Sequence, residues 1–170
     1  MCIRDSQSTT QYKKLVSTIP LPVFIELSED ATQDVREAAS LLRCTTFLSV
    51  EITLNHSAKR NEQWLYVYDE DKLSTRISIM ENFSPNNAPP NCSGIAVEVY
   101  GSPYRPLPTD HPMVGKKVKQ ELIEMGLIED EQAVTSLNVR HSPWGQVIFD
   151  HNRKPALETI NAFLDQFGIV

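Results

Sequence analysis

Glycine is scarce in this 170-residue chain. Its six residues, Gly94, Gly101, Gly115, Gly126, Gly145 and Gly168, lie far apart. That spacing excludes a dinucleotide fingerprint and a phosphate loop, where clustered glycines let the backbone approach phosphate oxygens. No Gly-x-Ser-x-Gly nucleophile elbow is present either. Cysteine is limited to Cys2, Cys44 and Cys92. Their uneven spacing makes neither a disulfide framework nor a zinc knuckle, and a reducing cytoplasm is the simplest setting. The glycosylation-like triplets Asn55-His56-Ser57 and Asn91-Cys92-Ser93 are then chance matches. Positive charge is also short. A net charge of −6 argues against a nucleic-acid partner, and the densest basic run, "GKKVKQE", is answered at once by acids on a solvated helix face. No apolar run nears the roughly 18 residues that span a bilayer, and "MCIRDSQSTTQYKK" has no signal-peptide core. The opening "MCIRDS" shares no pattern with the residues after it, so residues 1–13 read as an artefactual or disordered N-terminus. The histidines, His56, His111, His141 and His151, are scattered without a His-x-x-x-His pair. Asp150-His151-Asn152 precedes a helix and reads as turn and cap. No metal site is expected.

What remains is ordinary globular material, 41% apolar and 22% charged. "KLVSTIPLP" reads as a short strand broken by Pro20 and Pro22, since proline cannot donate to a sheet ladder. In "SEDATQDVREAASLLR", Ser28 or Thr32 can cap a helix whose apolar stripe is Val35, Ala38, Ala39 and Leu42. Period-two alternation then takes over. Leu48, Val50, Ile52 and Leu54 share one face of a strand. "WLYVYD", "TRISIM" with Ile77 and Ile79, and "GIAVEVYG" with Ile95, Val97 and Val99 continue the pattern. Four strands in succession without intervening helices indicate an antiparallel sheet. A proline-rich connection leads to a helix carrying Val114, Val118, Leu122 and Met125, with Pro112 near its first turn. "AVTSLNVRHS" and "GQVIFD" read as two strands around Pro143. The last helix presents Ala156, Ile160, Phe163, Leu164 and Phe167 and is stopped by Gly168. The fold class is α+β, a mostly antiparallel sheet with three flanking helices.

Candidate binding groups are few. Trp64, Tyr66 and Tyr68 alternate along one strand. Such a row either packs against a neighbouring element, as strand aromatics do, or forms a pocket wall with phenol donors. Arg76 faces away from Ile77 and Ile79, so it is either a cross-strand partner or an anchor for an anionic group. Glu51 and Glu98 sit on polar strand faces, where exposure is the default. The stretch "ENFSPNNAPPNC", residues 81–92, is stiffened by Pro85, Pro89 and Pro90, while its asparagines favour side-chain turns. Its length exceeds a normal hairpin connection and hints at function.

Three segments, "VSTIPLP", "WLYVYDEDKLSTRISIMENFSPNNAPPNCSGIAVEVY" and "WGQVIFDHNRKPALETINAFLDQFGI", together resemble the flavin-dependent amine oxidase and protoporphyrinogen oxidase superfamily, and bacterial FAD-dependent oxidoreductases in particular. The resemblance covers nearly the whole chain from Lys14 and implies a fragment of a larger enzyme. In it, residues 14–27 match a strand of an otherwise missing FAD domain, 28–150 a substrate domain, and 151–170 a helix leading back to the FAD domain. Ser17, Thr18 and Pro20 would then lie near FAD. Trp64, Tyr66, Tyr68 and Arg76 would line the pocket for a small-molecule substrate that passes hydride to the flavin. The glycine-rich parts that hold FAD in that family are absent, so the fragment alone is expected to be inactive and to lack the cofactor. The missing FAD domain of the same parent chain is its implied partner. Two other readings stand beside this one: a relative of the FAD-dependent sugar-nucleotide mutases, and a stand-alone binding module without catalysis.

Overall fold

The computed structural model describes residues 2–4, 9–11, 15–102 and 104–169. Lys14, where the sequence places the start of its first strand, and residues 5–8 of the opening stretch lie outside them. The chain divides into two compact units, one comprising residues 1–44 and 147–170, the other residues 45–146.

The second unit is built on a five-stranded antiparallel sheet. Its strands are β3 (Thr46–Leu54), β4 (Trp64–Tyr66), β5 (Arg76–Ile79), β6 (Ser93–Gly101) and β7 (Val134–Ser142), in the order β4-β5-β6-β3-β7. The chain leaves β3, crosses to the far edge at β4, and returns strand by strand until β6 pairs with β3. The β3–β6 register runs without a break from Thr46↔Gly101 to Leu54↔Ser93. Alternation explains this fidelity: a slip of one residue would turn every buried side chain of either strand into solvent. Leu48, Val50, Ile52 and Leu54 and, opposite them, Ile95, Val97 and Val99 are all buried. Helix α3 (His111–Glu124) covers that inner face with Val114, Val118 and Leu122. Asp110 caps it by accepting from Met113 N–H at 3.0 Å, and Pro112 occupies the first turn. Gly115 is the point of close approach: a Cβ there would lie 2.5 Å from Leu137 Cδ2 and 3.0 Å from Val139 Cγ2.

In the first unit, strands β1 (Cys2–Arg4) and β2 (Thr9–Gln11) pair antiparallel within the stretch read from sequence as disordered or artefactual. Helices α1 (Leu21–Leu27), α2 (Gln33–Ser40) and α4 (Arg153–Asp165) share an apolar cluster of Ile25, Val35, Ala38, Ala39, Ala156, Ile160, Phe163 and Leu164. Gly168, at φ 62°, follows α4 in the left-handed conformation that glycine tolerates best.

Two local expectations need correction. Residues 21–27, read as the continuation of a strand, form α1. Pro22 sits in its first turn, where the missing N–H removes no helical bond, so a residue that breaks a strand instead starts a helix. The described residues therefore form one α-helix more than the three expected. As a strand of a separate domain should, the "KLVSTIP" segment stands outside the five-stranded sheet; of its described residues, Leu15 bridges Ile169 in parallel. "GQVIFD" is not a second strand after Pro143. It contributes an isolated bridge, Cys44 with Val147, and backbone bonds to Arg43 and Thr45.

Candidate functional site

One face of the five-stranded sheet carries α3; the opposite face carries the alternate side chains. Register sets their order. Tyr66 lies across from Arg76, Arg76 from Glu98, Glu98 from Ser49, and Ser49 from Arg140, one row over all five strands. A second row runs Trp64, Ser78, Ala96, Glu51, Asn138, and Tyr100 lies opposite Phe47.

The centre of the first row is an ion pair. Arg76 Nη2 donates to Glu98 Oε1, and the Tyr100 hydroxyl donates to Glu98 Oε2 at 2.6 Å. Glu98 is the more buried partner, its side chain 15% exposed against 34% for Arg76. The hydrogen bond to Glu98 outweighs burial and raises the Arg76 pKa further, with Tyr66 adding to the effect, so the guanidinium stays charged. Burial, then the bond to the Glu98 carboxylate, pushes the Tyr100 phenol above its ordinary value. It therefore stays protonated as a donor. Gln146 Nε2 lies 3.5 Å from the same hydroxyl, and the Phe47 ring packs on Tyr100 with centroids 5.6 Å apart. Arg76 is thus a cross-strand partner of Glu98, and any anion it anchored would meet a guanidinium already engaged by that carboxylate. Glu98 departs from the expected exposure for the same reason.

The aromatic row of β4 stands on the sheet edge. Trp64, Tyr66 and Tyr68 are 47%, 56% and 87% exposed, so no described element packs over them fully. Phe83 stacks on Trp64 with centroids 6.0 Å apart and an interplanar angle of 17°, and Tyr66 and Tyr68 are 6.3 Å apart. Phe83 comes from the 81–92 stretch, which is otherwise engaged with its own surroundings. Glu81 accepts from Ala58 N–H and Gly94 N–H, both at 3.2 Å. Asn82 Nδ2 donates to the carbonyls of Arg60 and Glu62, and Asn87 Nδ2 to that of Met80. Asn91 takes φ 60°, the left-handed turn that asparagine tolerates. These bonds make the stretch a fixed turn whose one outward contribution to the aromatic row is Phe83.

Ser17, Thr18 and Pro20 belong to the first unit and so are not part of this sheet face. Ser17 and Pro20 are half-buried and Thr18 is exposed. The Pro20 carbonyl accepts from Phe24 N–H at 3.0 Å, opening α1. Asp150 Oδ1 accepts from the N–H groups of Asn152 and Arg153, the capping duty its position suggested. An open cleft of about 410 Å³ lies between α2 and α4, over Val35 and Phe163 with Asp30 and Asp34 at its rim, and includes none of the candidate binding residues named from sequence.

The arrangement can hold a small polar molecule against aromatic edges and orient it with hydroxyl and guanidinium donors. Among the described residues, no serine, cysteine or lysine of the row is paired with a base, so the row offers donors and rings but no activated nucleophile. Sequence reasoning missed Glu98, Tyr100 and Phe83 as members. The signal for the first two was the period of two in "EVY", which puts both on the face that carries Arg76.

No protein-family model matches the chain, and no curated protein is significantly similar to it. Solved structures do match in fold. A reduced UDP-galactopyranose mutase superposes with a TM-score of 0.75 at 18% identity, over 95% of this chain and 35% of that one. A candidate protoporphyrinogen oxidase from Exiguobacterium sp. 255-15 superposes with a TM-score of 0.63 at 13% identity, over 99% of this chain and 37% of that one. The chain thus spans about a third of the length of these structures. No described helix is long and apolar enough to cross a membrane.

Proposed function

We propose that this chain is the substrate-domain segment of a cytoplasmic FAD-dependent oxidoreductase of the amine oxidase and protoporphyrinogen oxidase type. The observation that carries the reading is a fold shared, almost end to end, with about a third of a mutase and of a candidate protoporphyrinogen oxidase. The open sheet face, with Trp64, Tyr66, Tyr68 and Arg76, is the wall of the substrate pocket, and Glu98 and Tyr100 hold Arg76 in place. Ser17, Thr18 and Pro20 border the cofactor. In the parent enzyme the flavin accepts hydride from the organic substrate.

The described residues do not by themselves fit a flavin. A pyrophosphate is held by free N–H groups at a helix N-terminus, favoured there by the positive end of the dipole. Here each such end carries a proline or an aspartate. Pro20 and Pro22 open α1, Asp34 sits in the first turn of α2, Asp110 caps α3, and Asp150 accepts from the first N–H groups of α4. The left-handed glycines Gly126 and Gly168 belong to no glycine cluster. Retention of FAD therefore depends on a partner domain from the same parent chain.

The test is to read the DNA flanking this reading frame and to purify both the longer product and this chain. The longer protein carries stoichiometric flavin, and this chain alone is colourless. In the longer protein, Arg76→Ala and Trp64→Ala raise the substrate KM by about tenfold at unchanged flavin content. Stoichiometric flavin on this chain alone, or flanking DNA without a glycine-rich strand-turn-helix, overturns the proposal. The higher TM-score of the mutase favours a second reading, a relative of the sugar-nucleotide mutases. Product formation without net consumption of an electron acceptor selects that reading over the oxidase.

A further inference from the structure

Glu121 is a carboxylate in the wrong place for a helix that faces an apolar core. It is 2% exposed, on the same stretch of α3 as Val118 and Leu122, which are fully buried. A buried charge is costly unless its oxygens are satisfied. No cation satisfies this one among the described residues. Its partners are in the turn between β4 and β5: Oε1 accepts from Leu73 N–H at 2.8 Å, and Oε2 accepts from Ser74 N–H at 3.0 Å and Ser74 Oγ–H at 2.6 Å. Two successive backbone N–H groups closing on one anion form a nest, filled here from within the fold. Ser74 is itself 1% exposed. One turn further along α3, Glu124 holds Lys72 at 2.8 Å.

The nest leads directly into the candidate site. Thr75 is next along the chain, its N–H and Oγ1 both donating to the Glu98 carbonyl, at 2.9 and 2.5 Å. Arg76 comes after it and meets the Glu98 carboxylate. Residues 73 to 76 are thus pinned in turn, the first two from behind the sheet by Glu121 and the last two from within it by Glu98. An apolar residue at 121 would pack the helix at least as well but would leave two N–H groups and a hydroxyl without acceptors. Charge at this position therefore serves the turn and not the core.

We propose that Glu121 is a positioning residue for Arg76: it fixes the entry into β5 so that the guanidinium lies between Tyr66 and Glu98. The proposal rests on the functional reading above only for what Arg76 contacts in the parent enzyme; its own test needs no flavin and no substrate.

The test uses this chain in Glu121→Gln form, which keeps the side-chain shape but sets an NH₂ group against donors. Hydrogen exchange is followed by NMR at the Leu73 and Ser74 amides, at Val50 and Val97 in the core, and at Arg76 Nε–H, a buried atom without a hydrogen-bond partner among the described residues. Exchange at Leu73, Ser74 and Arg76 Nε–H is expected to quicken about tenfold or more, with Val50 and Val97 unchanged. Faster exchange at Leu73 and Ser74 with Arg76 unmoved overturns the proposal and leaves Glu121 an anchor of the turn alone. Equal loosening of Val50 and Val97 overturns it too, because the role is then general packing. Should the glutamine variant fail to fold, Ser74→Ala removes a single donor and supplies the same comparison: faster Arg76 exchange supports the proposal, and an unmoved Arg76 sinks it.

Discussion

Arg76 and Glu98 hold each other on a sheet face that is neither core nor open solvent, and this intermediate burial decides what the pair contributes. A fully exposed pair is screened to almost nothing. Here the Glu98 side chain is 15% exposed and also accepts from Tyr100, so removing its cation leaves a largely buried carboxylate short of one donor. Arg76, about a third exposed, recovers part of its solvation from water. Arg76→Met is accordingly expected to destabilise the second unit by about 1–3 kcal/mol, and Glu98→Gln by less, since the amide oxygen still accepts. The double variant Arg76→Met, Glu98→Met should recover part of the loss, because two apolar side chains leave no orphaned charge. Urea unfolding of the four proteins checks this, and strictly additive losses would mean that the pair is not coupled. Arg76 was legible in the sequence as a polar-face residue. Its partner was not, because alternation tells which face a side chain takes but not which residue of the next strand lies opposite.

Loops and strands differ in how much of themselves they reveal. Strands β3 and β6 were readable because four and three apolar residues at period two leave a single face to bury. Helix α1 was not, because two prolines carry the same letter in a broken strand and in a helix start. The stretch 81–92 was readable as stiff, yet whether it served a ligand or the fold depended on where Glu81 and Asn82 reach. The hydrogen bonds place it with the fold. Burial pushes the Glu81 pKa up, but hydrogen bonding, with the backbone N–H groups of Ala58 and Gly94 among its donors, more than offsets that and leaves it below its ordinary value. A carboxylate whose pKa is depressed by folding stabilises the folded state above its unfolded pKa of about 4.3. That contribution is lost as pH falls through the lower folded value. Protection factors at Ala58 and Gly94 should therefore hold from neutral pH down to the ordinary glutamate range and fall below it, while Val50 and Val97 stay protected. In Glu81→Gln both amides should be weakly protected throughout, without the acid step. An acid step that survives in the variant would assign it to another group.

The two units have separate cores. The cluster around Leu48, Val97 and Leu122 draws every member from residues 45–146, and the cluster around Ile25, Ala39 and Ile160 draws every member from the flanking segments. Their structural quality differs as well. The sheet unit closes its ladder over five strands and covers one face with α3. Among the described residues, the helical unit has one parallel bridge, Leu15 to Ile169, and no parallel ladder. Parallel strands are normally buried on both faces, whereas Val16 beside that bridge is 79% exposed, and Leu27 and Phe149 are 71% and 80% exposed. With little strand pairing behind these exposed aliphatic and aromatic side chains, the helical unit is expected to be the weaker of the two and the first to associate. Denaturation should therefore proceed in two steps, the first at low urea and accompanied by aggregation, the second cooperative and independent of protein concentration. Residues 45–146 expressed alone should reproduce the second step at the same midpoint and remain monomeric. Leu27→Lys with Phe149→Lys should suppress the aggregation of the first step without moving the second. A single transition for the whole chain, shared by Trp64 fluorescence in one unit and amide exchange at Ile160 in the other, would show that the cores fold as one.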